Sequence, residues 1–431
     1  MRPTALLALA LLWPVAGENL ATALPEPGVV LRGNSGVSGG DCIAVNAQGV
    51  TVVRDRDPSG KPTRTAVLSW DQVKLVQGPL QADAQAFEVI ADKAWRARSR
   101  LERGDLVAAE PIFEDLFHQY AQKAGPTTAV IAGGLLRCRL ARGAQTAAVQ
   151  AWLSWVLATG SSVSASNPAD ALPESVGAEV SRLVDPATGL SPSLPPLWLS
   201  TTAVQVFASS DLPPSDRAKG TTPSEPARSS LIEERVRTLL ELYVQSARAD
   251  CGLMSKEPAK LPDIPASSDV GVRVVADMLR ARLGEPPARK EARKALTERL
   301  NAKTPPWLQA WCRVAIGRSL LAEPDVEQQR MGVVTLLIVA SRSSPTDAYI
   351  NGLALADAVL GLAKLGDDAG AALLAGELAD RFAGHPALES PLLAKWTNRK
   401  KSSTPPKPVD PPAAPTPFND PSRPGATPPT K

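Results

Sequence analysis

Two hydrophobic rhythms run along the chain. Between residues 41 and 78 apolar residues fall in short β-branched runs: Cys42-Ile43-Ala44-Val45, Val50-Thr51-Val52-Val53, Ala66-Val67-Leu68 and Val73-Lys74-Leu75-Val76. Turn residues separate them, at Asn46 to Gly49 and at Asp57-Pro58-Ser59-Gly60. This pattern predicts a small antiparallel β unit of three or four strands. A unit of that size is marginal by itself, so Trp70 is expected to plug its open face or dock it onto the helices that follow. From Asp83, a suitable N-cap, the period becomes helical, and two helical pairs are expected, over 83–121 and 127–159.

Residues 161–229 are rich in Pro, Ser and Thr. Asp211 to Arg228 reads as a disordered linker. Leu194 to Phe207 is too apolar to be left in water and is expected to pack back onto the helices as a crossover. A second helical block spans 230–394. Ser230 and Glu233 form a capping box at its start, and Val236, Leu239, Leu240, Tyr243, Val244 and Ala247 mark one face. Cys251 to Ser268 reads as a loop. Further helices are expected over 270–283, 287–301, from Thr304 with Pro305 in the first helical position, over 325–341, 346–365 and 369–383. The apolar run Gly332 to Ala340 is roughly half of a membrane span of ~20 residues and reads as a buried helix. Residues 24–40 read as a flexible lead, and 395–431 as a disordered proline-rich tail. The fold class expected is mainly α, an α-hairpin solenoid preceded by a small antiparallel β unit.

The helical pairs share a signature. Arg103-Gly104-Asp105 and Leu365-Gly366-Asp367 sit between two helices, and aligning the glycines aligns Ala109 with Ala371, Ile112 with Leu374, Leu116 with Leu378 and Tyr120 with Phe382. Gly143 and Ala148 hold the same places in the 127–159 pair. Small residues recur where helices must touch, and large ones where the next pair must be covered. This pattern resembles tetratricopeptide repeats, with Gly and Asp at the turn, a small residue five positions later and a large one four further on. Phe113 and Trp152 fill the large position, whereas Ala375 does not, and Val359 and Leu362 stand where the family carries small and aromatic first-helix residues. The resemblance implies a concave groove that holds peptides, protein tails or other envelope components. Nine tryptophans stand against three tyrosines. Of these, Trp152, Trp155, Trp307 and Trp311 lie at helical spacing. They are either core or the lining of such a groove, where Trp often anchors a partner.

The first residues read as an export signal: Arg2, an apolar stretch from Ala5 to Val15, and a small-x-small cleavage site at Ala21-Thr22-Ala23. The mature chain is expected to begin at Leu24 and to be soluble, periplasmic or extracellular. Four scattered cysteines, Cys42, Cys138, Cys251 and Cys312, permit two disulfides in three pairings. Cys138 and Cys312 lie on apolar helix faces, where a free thiol acts as a small hydrophobe. A net charge of +3, with much of the positive excess in the tail, carries no mark of a nucleic-acid binder.

Chemistry is sparse. Gly36-Val37-Ser38-Gly39-Gly40 fits the Gly-x-Ser-x-Gly nucleophile pattern, yet that pattern needs a strand before it, a helix after it and a histidine base. Here a Pro/Gly lead precedes and a strand follows, and the two histidines, His118 and His385, end helical pairs. No metal-ligand spacing occurs, and no cofactor is called for. The expectation is a non-enzymatic exported protein that scaffolds or binds a protein or peptide partner in the cell envelope. The alternatives are an envelope serine hydrolase using Ser38, or a β unit that docks to a partner with the helices as spacer.

Overall fold

The computed structural model describes residues 28–33, 40–160, 183–210, 228–253, 269–301, 303–342 and 348–397. The export signal, Ser38, the stretch from Asp211 to Ala227 and the tail from residue 398 lie outside the described residues, as do the side chains of residues 228–230.

Five strands form the β unit. β2 (Asp41–Asn46), β3 (Gly49–Arg56) and β4 (Pro62–Leu68) make an antiparallel meander, and β1 (Gly28–Leu31) pairs antiparallel with β5 (Val73–Gln77) in a second, two-stranded sheet. Strand β1 falls in what the sequence predicts to be a flexible lead. Its partner is more than forty residues away, so no local turn signal announces it. Gly49 closes the β2–β3 hairpin at φ +143°, where a side chain would run into the Leu68 carbonyl. Val50, Val52 and Trp70 are buried between sheet and helices. The Trp70 indole stacks on Phe87 at 5.0 Å and donates to the Asn46 carbonyl at 3.0 Å. The hairpin tip is pinned to the helices. Tyr120 Oη donates to the Ala47 carbonyl at 2.9 Å, Thr127 Oγ1 to the Gln48 carbonyl at 2.7 Å, and the Trp70 amide to Thr127 Oγ1 at 3.0 Å. Buried Asp71 is held by Arg98 of the second helix.

Fourteen α-helices follow among the described residues: α1 (Gln81–Gln85), α2 (Glu88–Glu102), α3 (Leu106–Tyr120), α4 (Pro126–Ala141), α5 (Gln145–Gly160), α6 (Thr202–Ala208), α7 (Arg228–Asp250), α8 (Val270–Leu283), α9 (Pro286–Asn301), α10 (Pro306–Leu321), α11 (Val326–Ala340), α12 (Ala348–Lys364), α13 (Asp368–Arg381) and the short α14 (Ala394–Thr397). The protein is thus mainly α, with a small antiparallel β unit at its N-terminal side. From α2 to α5 and from α7 to α13 each helix packs on its chain neighbours, α5 packs on α7, and α8, α10 and α12 also touch in alternation.

Three hairpins turn in the same way. Gly104, Gly143 and Gly366 adopt φ +78°, +76° and +82°. After each, the next amide reaches back to a helix carbonyl: Asp105 to Arg100 at 2.9 Å, Ala144 to Arg139 at 2.8 Å and Asp367 to Leu362 at 2.9 Å. This is the Schellman ending, which glycine permits because it has no Cβ. Asp105 and Asp367 then cap the next helix, accepting from the amides of Ala108 and Gly370. Ala109, Ala148 and Ala371 are fully buried. Two of the turns share a further clamp. Arg100 donates to the Ala108 carbonyl at 3.0 Å and Arg139 to the Ala147 carbonyl at 2.8 Å, each arginine four residues before its glycine. Elsewhere glycines set the closest approaches. A Cβ on Gly134 of α4 would enter the Phe113 ring of α3, and one on Gly332 of α11 would lie 2.8 Å from the Gly317 carbonyl of α10.

Several expected boundaries shift. Helix α1 begins at Gln81, so Asp83 lies in its first turn and is not its cap. Helix α7 begins at Arg228, which places Ser230 inside it and removes the expected capping box. Pro305 occupies the N-cap of α10, one position before the expected one. Helix α11 is not buried all round: Gly332, Val333, Leu336 and Val339 face inward, while Met331, Val334 and Ile338 are about half exposed. Residues 395–397, expected in the tail, belong to α14, where Lys395 pairs with Asp368 at 2.9 Å. No helix among the described residues is long and apolar enough to cross a membrane. The four cysteines are free, and burial pushes the thiols of Cys138 and Cys312 up to about 11 and about 12, which keeps them protonated and unreactive.

Candidate functional site

The crossover is the feature that organises the second half of the fold. From Thr188 to Thr201 the chain reads Thr-Gly-Leu-Ser-Pro-Ser-Leu-Pro-Pro-Leu-Trp-Leu-Ser-Thr. Three prolines lack an amide proton and resist helix, so the stretch stays irregular and extended. It is nonetheless interior: Leu190, Leu194, Leu197, Trp198 and Leu199 are all buried. Its carbonyls therefore need donors from elsewhere, since a buried unpaired polar group costs on the order of 1–3 kcal/mol.

Four helices supply them. From α5, Trp152 Nε1 donates to the Gly189 carbonyl at 3.1 Å. From α7, Tyr243 Oη donates to Leu194 and Ser246 Oγ to Pro196, both at 2.6 Å, and Arg235 reaches Thr188 at 2.5 Å. From α10, Trp311 Nε1 donates to Pro192 at 3.2 Å and Arg318 Nη2 to Trp198 at 2.7 Å. From α12, Tyr349 Oη donates to Leu197 at 3.3 Å. The Trp198 amide is accepted by Asp250 at 2.9 Å. The crossover thus runs in a groove between these helices, its main chain held by their side chains and its leucines and Trp198 buried. The Trp198 ring lies 5.7 Å from Phe207 and 6.3 Å from Tyr243.

A buried charge cluster closes one end of the groove. Arg318 Nε meets Asp357 at 2.6 Å and Nη1 meets Asp250 at 2.9 Å, with all three side chains under 10% exposed. Arg282 joins Asp250 at 3.3 Å. Burial alone would lower the Arg318 pKa, but Asp357 and Asp250 outweigh it and hold the guanidinium charged. Burial pushes the Asp357 carboxyl upward, with Arg318 opposing. The same burial raises the Tyr243 and Tyr349 hydroxyls, so both remain neutral donors.

The candidate tryptophans divide. Trp152 and Trp311 are fully buried and bind the crossover three residues apart. Trp307 is half-buried, edge-on to Trp311 at 4.9 Å. Trp155 is half-buried, and its Nε1 has no hydrogen-bond partner among the described residues. The packing residues Gly104, Ala109, Gly143, Ala148, Gly366 and Ala371 hold the hairpins rather than the groove. Arg318, Asp250, Asp357, Ser246 and Tyr349 are not singled out by the sequence patterns, and Tyr243 only as part of an apolar helix face. The available signal was a charge in an apolar run, such as Arg318 after Val314-Ala315-Ile316-Gly317 and Asp357 between Ala356 and Ala358.

A cleft of about 300 Å3 lies beside the α4–α5 turn and the end of α13, lined by Gly143, Gln145, Tyr349, Phe382 and His385. His385 caps the 3-10 turn Pro386–Glu389, its Nδ1 accepting from the Ala387 amide at 3.1 Å. Its Nε2 lies 2.8 Å from the Tyr349 carbonyl, which requires the Nε2–H form. With both nitrogens engaged it is not placed to act as a base. His118 is exposed in the last turn of α3. Among the described residues no three His, Cys, Asp or Glu side chains gather as a metal site would need. Comparison of the chain with protein-family models, with curated proteins and with solved structures finds no match.

Proposed function

We propose that this is an exported, non-enzymatic protein of tetratricopeptide-like helical hairpins that scaffolds or binds other proteins in the cell envelope. The observation that carries the reading is the recurrence of one turn, Gly104, Gly143 and Gly366, each followed at the same distance by a buried alanine. Hairpins interlocked in that way stack into a preformed surface, which suits partner binding better than chemistry. Export rests on the pattern from Arg2 to Ala23. The function requires no cofactor.

The test is a crosslinking pull-down from envelope extract with two baits, residues 24–431 and 24–394. A partner retained by both places recognition on the folded body. Retention by the longer bait alone moves it to the proline-rich tail. Recovery of no specific partner with either bait would remove the scaffold reading.

A further inference from the structure

The groove made by α5, α7, α10 and α12 is built like a peptide site, and it is full. Six carbonyls between Gly189 and Trp198 are held by side chains 37 to 152 residues away in the chain. Every buried main-chain polar group needs a partner, from backbone, side chains or water. Local turns supply a few further bonds, from the Gly189 amide to the Asp185 carbonyl, the Asp185 amide to the Leu190 carbonyl, the Leu190 amide to Thr188 Oγ1 and the Leu194 amide to the Ser191 carbonyl. The six carbonyls above are reached instead by the helices. The contacts fall on main-chain atoms, so they fix direction and extension. Leu190, Leu194, Leu197 and Trp198 supply the side-chain selection.

We propose that this groove is a binding site for an extended, leucine- and proline-rich peptide read through its carbonyls, and that the chain's own Gly189–Trp198 stretch is its resident ligand. The proposal rests on the partner-binding reading above and adds a regulation to it. A partner segment of the same chemistry must displace the resident one, which is tethered at both ends. Tethering gives an effective concentration in the millimolar range, so the intact protein excludes weak competitors and admits a partner only when the stretch is released.

The chemistry of the site defines its ligand further. Prolines at the positions of Pro192, Pro195 and Pro196 carry no amide proton that would need an acceptor. The walls contribute indole, hydroxyl and guanidinium donors at seven carbonyls, counting Thr188, and one acceptor, Asp250, for the Trp198 amide. A peptide rich in free amides would leave them unpaired there. A Leu-x-x-Leu-Trp segment broken by prolines fits, and a charged or helical segment does not.

The experiment uses the full chain with protease sites introduced in 161–182 and in 211–227. After both cuts, the resident fragment is washed out in mild urea by gel filtration, and helical circular dichroism is followed. The emptied protein is then titrated with a fluorescent synthetic peptide of residues 183–210. Expected are retention of the helical signal, uptake of one equivalent of peptide, and binding to the uncut protein weaker by about a hundredfold or more. A peptide with Trp198→Ala and Leu194→Ala should bind at least about tenfold more weakly than the parent.

Collapse of the helices when the fragment leaves, or a fragment that leaves only on unfolding, would make the stretch a core element and overturn the proposal. So would an intact, emptied groove that takes up no peptide. These outcomes are separable from the pull-down. A partner retained by the folded body while the groove refuses peptide sinks only the groove assignment, and peptide exchange without any envelope partner sinks only the scaffold reading.

Discussion

Arg318 Nη2 donates to the Trp198 carbonyl at 2.7 Å across 120 residues of chain, while its other nitrogens hold Asp357 and Asp250. One guanidinium thus joins α10, α12, the end of α7 and the crossover. Removing it leaves buried Asp357 and the Trp198 carbonyl without their donor, and Asp250 with only Arg282 and the Trp198 amide. Arg318→Met should destabilise the protein by about 3–5 kcal/mol in urea unfolding. Combining it with Asp357→Asn should recover part of that loss. A single-variant effect below about 1 kcal/mol would show that the cluster is already compensated by solvent.

The tryptophans separate in a similar way. Trp311→Phe deprives the carbonyl of half-buried Pro192 of its donor and should cost about 1–3 kcal/mol. Trp155→Phe removes an indole nitrogen that has no partner among the described residues and should cost under about 1 kcal/mol. Equal losses in chemical denaturation would contradict the hydrogen-bond assignment.

Helices α3 and α4 meet where Gly134 faces the Phe113 ring, and Phe113 is fully buried. Gly134→Ala should destabilise by about 1–3 kcal/mol through overpacking. Phe113→Leu in the same chain should relieve some of the strain, so the pair should be non-additive in a double-mutant cycle. Strict additivity would mean that the helices shift apart instead.

His385 couples the C-terminal cap to pH. Burial lowers its pKa below the ordinary 6.5, while its bond to the Tyr349 carbonyl acts weakly in the other direction. The ring lies against Tyr349 at 5.2 Å and Phe382 at 6.4 Å, with Arg381 over the Phe382 ring. Because the unfolded chain binds the proton more readily, this stabilisation is complete above pH 6.5 and is lost as pH falls below it. The unfolding free energy from urea titration should therefore drop between pH 7.5 and 5.5, by at most about 1.4 kcal/mol per pH unit. His385→Asn keeps a capping oxygen for the Ala387 amide and should flatten that slope. An unchanged slope would assign the dependence to other groups.

What the sequence showed follows from which contacts are local. Hairpin turns at Gly104, Gly143 and Gly366 were readable because glycine, the Schellman bonds and the next cap lie within a few residues. The β2–β3–β4 meander was readable for the same reason. Strand β1 was not, since Val29 and Val30 find their partners Val76 and Leu75 only in space. Ser230 followed by Glu233 satisfied a local rule, yet α7 starts two residues earlier. At the groove, the apolar content of Leu194 to Phe207 announced that it would be covered. It said nothing of Arg318, Tyr243 or Tyr349, because donors to a main chain leave no periodic trace. The exposed half of α11 was missed because nine consecutive residues from Gly332 to Ala340 include only one polar side chain, Thr335.

Stacked helical hairpins ordinarily fold by propagation, each unit consolidating on the last. The crossover breaks that order. Leu197 emerges from the ribosome 152 residues before Tyr349, which donates to it, and Trp198 precedes Arg318 by 120. Long-range closures of this kind slow folding. Until they are made, a string of leucines and a tryptophan is without its cover, at a stage when exposed apolar segments invite aggregation. Biogenesis of this protein therefore carries a waiting period set by the length of chain between the groove's two walls, and a holding chaperone would be most needed within it.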